Sequence, residues 1–100
     1  MFGVNELDNL IAKLKNSKAL LHEQYGVEIL GIFGSYVRGE QKRNSDVDIL
    51  VDFKEPIGLL KFVALKNQLS EIIGRDVDLV TKTALKPGIG KRILEEVIYV

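Results

Sequence analysis

Three aspartates and one turn are the groups in this sequence best suited to chemistry. Asp46 and Asp48 are separated by one residue, Asp78 lies further on, and Gly34-Ser35 precedes them all. The stretch from Ile29 to Asp52 reads as an apolar strand, a Gly-Ser turn, a short polar segment and a second strand opening at Asp46. Side chains alternate along a strand, so Asp46 and Asp48 are expected on one face and Val47 and Ile49 on the other. Carboxylates so placed stand about 6.5–7 Å apart and repel by roughly 2–3 kcal/mol at an effective dielectric of about 20. A divalent cation between them reverses the sign, because hard cations such as magnesium take carboxylate oxygens and keep positions open for phosphate. Gly34 lets the backbone come close to an anion, Ser35 adds a hydroxyl, and a helix starting near Tyr36 would aim N–H groups at it. Arg38 can grip two phosphate oxygens with its guanidinium, or it can pair with a nearby acid such as Glu40.

The rest of the chain must position these groups. One hundred residues suffice for one core, and a single domain over 1–100 is expected. With 46% hydrophobic and 28% charged residues the composition is that of an ordinary globular protein. Fourteen basic and fourteen acidic residues cancel, which argues against direct nucleic-acid binding driven by phosphate neutralisation. Without cysteine there is no disulfide, thiolate site or thiol nucleophile, and a cytoplasmic setting fits. No apolar run reaches the length of a membrane span, and no signal peptide is apparent.

Asn5 and Asp8 resemble the cap and acidic first turn of a helix. Leu7, Leu10, Ile11, Leu14, Leu21 and Tyr25 then follow helical spacing up to Gly26, with a possible bend at Asn16-Ser17-Lys18. His22 flanks this stripe, and without a second histidine it reads as a partly exposed packing residue. Val27 to Phe33 and Asp46 to Phe53 read as strands. Leu59, Leu60, Val63, Leu65, Leu69, Ile72 and Ile73 suggest a second helix ended by Gly74. Val77 to Thr81 is a third strand. Pro87 suits the first turn of a last helix bearing Ile89, Ile93, Leu94 and Val97, whose start is weakened by Gly88 and Gly90. Ile98 to Val100 could add an edge strand. The expected architecture is α/β (α+β): a small mixed sheet covered by helices.

Several chemistries are excluded. Gly34 and Gly39 have the spacing of two P-loop glycines, but Glu40 and Gln41 stand where lysine and a hydroxyl residue are required. No Gly-x-Gly-x-x-Gly fingerprint is present. One histidine and no cysteine leave a Ser-His-Asp triad or a zinc site little to work with.

Taken together, Gly34-Ser35, Arg38-Gly39, Ser45-Asp46-Val47-Asp48 and Asp78 within Val77-Asp78-Leu79-Val80 resemble the signature of the DNA polymerase β-type nucleotidyltransferase superfamily. The resemblance spans nearly the whole chain and is closest to the minimal nucleotidyltransferases, small antitoxins paired with HEPN-domain toxins. It implies that Gly34 and Ser35 hold the β- and γ-phosphates of ATP, with Arg38 and Ser45 in the nucleotide site. It also implies that Asp46 and Asp48 bind two magnesium ions, Asp78 sharing one beside the acceptor hydroxyl. The implied activity is transfer of AMP to a hydroxyl, a tyrosine of the HEPN-type toxin. The alternative is a non-catalytic antitoxin that neutralises its partner by covering it. Asp76 could compete for the role of Asp78, and Lys42, Arg43, Lys82, Lys86, Lys91 and Arg92 could line a partner or nucleotide surface.

Overall fold

The structure, a computed structural model, describes residues 6–100, so the expected Asn5 cap lies outside the described residues. Helix α1 (Glu6–Tyr25) leads into strand β1 (Val27–Phe33), a one-turn helix α2 (Ser35–Arg38) and strand β2 (Val47–Phe53). Helix α3 (Leu59–Ile73), strand β3 (Val77–Thr81), a 3-10 turn at Lys82–Ala84, helix α4 (Ile89–Glu96) and the short strand β4 (Ile98–Tyr99) complete the order. The sheet runs β3-β2-β1-β4 and is mixed as expected, because only β2 and β3 are parallel. Parallel neighbours need a long crossover, and α3 supplies it.

Helices α1 and α3 cover one face of the sheet. Leu10, Leu14 and Leu21 of α1 and Leu65, Leu69 and Ile73 of α3 pack on Leu30, Ile32, Val47, Ile49 and Val51. Burying such aliphatic side chains contributes about 1.5–3 kcal/mol each, so this layer fixes the sheet on which the acidic residues stand. Helix α1 is unbroken through Asn16-Ser17-Lys18, where the Ser17 hydroxyl donates back to the Lys13 carbonyl at 3.0 Å. Glu6 pairs with Arg75, whose guanidinium lies 5.8 Å above the Tyr36 ring.

Four details of the sequence reading change. Strand β2 begins at Val47, leaving Asp46 just ahead of it. Leu59, Leu60 and Val63 are exposed and do not join the core stripe of α3. At 3.6 residues per turn, Leu60 and Val63 point away from the side that carries Leu65 and Leu69, and Leu59 flanks it in the first turn. Pro87 lies in the turn ahead of α4, which starts at Ile89 after Gly88 (φ 89°), and Val97 caps that helix from outside. The late start of α4 and the edge strand after it are as expected. His22 is exposed, with Nδ1 3.0 Å from the Val27 carbonyl oxygen.

Candidate active site

The other face of the sheet carries the chemistry. Residues directly opposite each other in a sheet point the same way, and the register aligns Phe33 with Asp48 and Asp48 with Asp78. Phe33, Asp48 and Asp78 therefore form one row across three strands, facing away from α1 and α3. Parallel pairing sets Asp48 directly beside Asp78. Burial pushes the Asp48 carboxyl up to about 6, the Asp78 charge adds to this, and Asp46 contributes a further like charge. Arg38 opposes the shift from a distance.

Backbone geometry brings the turn to the same place. Gly34 adopts φ 83° and ψ −151°, and a Cβ there would stand 2.0 Å from Asp48 Oδ2. No other residue fits both the conformation and the space. The Gly34 carbonyl accepts from the Val37 and Arg38 amides at 3.0 and 3.1 Å, which starts α2 and turns its single coil over the end of β1. Gly39 closes it in the left-handed region at φ 73°.

The Gly34 amide is occupied. It donates to Glu96 Oε2 at 2.7 Å, while Arg38 Nη1 donates to Glu96 Oε1 at 2.8 Å. Arg38 also donates from Nε to Glu40 at 2.8 Å, so the ion pair read as an alternative for Arg38 is present. Burial pushes the Glu96 carboxyl up, but the hydrogen bonds from Arg38 and Gly34 outweigh it and hold the group below the usual range. A cleft of about 630 Å³ opens here, between Gly34, Arg38 and Asp48 on one side and Ile89, Arg92 and Ile93 of α4 on the other.

The remaining expected site residues stand apart from this cleft. Asp46 and Ser45 border a neighbouring hollow with Arg43, Arg75 and Asp76. The Ser45 hydroxyl accepts from the Lys42 amide at 2.7 Å and so closes a local turn. Asp76 precedes β3, and its carbonyl accepts from the Val47 amide at 2.9 Å, which leaves Asp78 as the acid in register with Asp48. Among the described residues no group of three acids or histidines is gathered tightly enough to enclose an ion as the side chains stand. The donor chemistry nevertheless fits a hard cation: two adjacent carboxylates, one pushed up to about 6 by burial and by like charges that a cation would offset. Glu96 escaped the sequence reading altogether, and Arg92 entered it only as one of six scattered cations.

Comparison with known proteins supplies the family. The nucleotidyltransferase domain family matches residues 14–100. Protein adenylyltransferase MntA of Thermococcus cleftensis is 49% identical over 100 residues, which cover 100% of this chain and 98% of that protein. A solved minimal nucleotidyltransferase superposes with a TM-score of 0.79 at 33% identity, over 97% of this chain and 98% of its own. A toxin–antitoxin crystal structure with AMP-PNP gives a TM-score of 0.68 at 25% identity, over 96% of this chain and 72% of the other. With a family match over residues 14–100 and relatives that match it from end to end, the chain belongs to the nucleotidyltransferase family, among the minimal nucleotidyltransferases.

Proposed function

We propose that this protein is an adenylyltransferase that moves AMP from ATP onto a hydroxyl of a partner protein, and that it acts as the antitoxin of a two-protein pair. The observation that carries the reading is the placement of Asp48 and Asp78 in register beside the Gly34 backbone, with Arg38 at the same cleft. The adenylyltransferase name of the Thermococcus relative and the AMP-PNP in the toxin–antitoxin structure support the donor and the partner.

On this reading each residue takes a role. Gly34 and Ser35 would present an amide, once Glu96 releases it, and a hydroxyl to the phosphates, and Arg38 would add a guanidinium that matches two phosphate oxygens. Asp48 and Asp78 would hold a divalent cation, in keeping with a family that generally uses one, and Asp46, just ahead of β2, is the third carboxylate of this reading. Two such ions, as magnesium, would stabilise charge on the attacking and leaving oxygens of an in-line displacement at the α-phosphorus. Asp78 is exposed and lies on an edge strand, so an incoming hydroxyl can reach it and give up its proton. The acceptor on this reading is a target tyrosine of a folded HEPN-type toxin, which would bring its own binding surface. AMP added beside the toxin's nucleic-acid site would place a bulky anion where phosphates must bind.

Leu59, Leu60 and Val63, exposed together on α3, favour a second reading in which the protein neutralises its partner by covering it. Mass spectrometry of the partner after co-expression with wild type or Asp46→Ala/Asp48→Ala separates the two. Transfer adds one or more AMP units with wild type only. A partner that stays unmodified, yet is neutralised by the double variant, establishes occlusion instead.

A further inference from the structure

Glu96 holds the two donors that the sequence assigns to the triphosphate. Its Oε2 takes the Gly34 amide and its Oε1 takes the Arg38 guanidinium, both at normal charge-assisted distances of 2.7 and 2.8 Å. Nothing in α4 itself favours this. Glu96 is the last residue of that helix, where the backbone dipole disfavours an acid, and Glu95 beside it adds a like charge. The seat formed by Gly34 and Arg38 is what draws the carboxylate in. A carboxylate and a phosphate offer such a seat the same thing, negative oxygen acceptors, and one amide N–H serves only one of them.

Resting on the nucleotide reading above, we infer that Glu96 is a resident stand-in for the terminal phosphate of the nucleoside triphosphate, and that triphosphate binding displaces it. The displaced carboxylate has somewhere to go. Arg92 lies one helical turn back on the same side of α4, already interacts electrostatically with Glu96, and borders the same cleft. Exchange of Glu96 from Arg38 towards Arg92 empties the seat without leaving an acid unpaired. Because only the fraction of molecules with an open seat can accept the ligand, the stand-in weakens apparent affinity for triphosphates. It has no such effect on a monophosphate, which does not reach the seat.

Calorimetric titration with magnesium AMP-PNP and with AMP tests this on wild type, Glu96→Gln and Glu95→Gln. Glu96→Gln should bind AMP-PNP on the order of five- to tenfold more tightly, with AMP unchanged, because a neutral amide competes poorly for a cationic seat. Glu95→Gln removes the same formal charge one residue away and should stay within about twofold of wild type for both ligands. If Glu96→Gln melts too early to titrate, the wild-type protein still decides. On addition of AMP-PNP the Glu96 carboxyl carbon should shift away from its position in the free protein, while that of Glu95 stays. Wild-type binding with no gain in the variant, or with an unmoved carboxyl resonance, overturns the stand-in and leaves the nucleotide reading intact. Absence of AMP-PNP binding by both wild type and Glu96→Gln removes both.

Discussion

Asp48 carries a conflict that the fold sustains for the sake of its position. Its carboxyl is raised from about 3.8 to about 6 by burial and by the neighbouring acids, so the folded protein binds that proton more tightly than the unfolded chain does. The contribution is full below about pH 4, where the group is protonated in both states, and is lost as pH rises through about 6. Partial solvent exposure reduces the effect to about 1–2 kcal/mol. Asp48→Asn removes the charge, so in chelator it should be more stable than wild type by that amount near neutral pH and equal to it at about pH 4. Urea melts across the range check this, and a less stable variant at neutral pH would mean that the ionised carboxylate holds the fold together. A second expectation separates hydroxyl from guanidinium. Ser35→Ala should weaken ATP binding by about 0.5–1.5 kcal/mol, the value of a neutral hydrogen bond, and Arg38→Ala should weaken it more. Equal, negligible effects in a titration would mean that the nucleotide does not use this turn. At this scale the sequence was readable where function depends on local spacing. Gly34 and Ser35 directly follow β1 and Asp48 falls within β2, all inside one stretch, whereas Asp46 lies just ahead of the strand. Glu96 was not readable, because its partner Gly34 is 62 residues away and a Glu95-Glu96 pair on a short helix looks like a solvated surface.

Among the elements, α4 was the hardest to read, because two glycines interrupt its apolar pattern. The structure gives Gly90 a reason: it is buried, and a Cβ there would stand 2.8 Å from Leu85 Cβ, so its bareness lets the connector pack against the helix. Two terms compete in Gly90→Ala. Helix propensity gains about 1 kcal/mol, whereas forcing extra volume into a close contact costs about 1–3 kcal/mol. The variant should be net destabilised by about 1 kcal/mol, read as a lower melting temperature. A rise would show that Leu85 yields freely. The strands were legible because apolar runs bounded by glycine and aspartate leave few choices. The first turn of α3 was not, since leucine at 59 and 60 gives the same signal whether it faces core or solvent, and the helix overhangs the packed layer there.

For the molecule as a whole, that overhang predicts tolerance. Leu60 is 88% exposed, so Leu60→Lys should change stability by no more than about 0.5 kcal/mol in a thermal melt. A larger loss would place Leu60 in a contact within the molecule. Composition and charge balance were silent on how the sheet is crossed. Helix α4 leaves the β3 edge through the 3-10 turn, passes over the face that bears Phe33 and Asp48, and delivers the chain to β4 at the opposite edge. Both ends of this passage are fixed by strand pairing, and Gly31 is bare where Val97 arrives, a Cβ there falling 2.6 Å from Val97 Cγ2. The segment is therefore a ruler laid across the sheet. Losing one residue between Gly88 and Glu96 would rotate the remainder of the helix by about 100° while both anchors stayed in place, so the count of residues here is constrained as tightly as their identity.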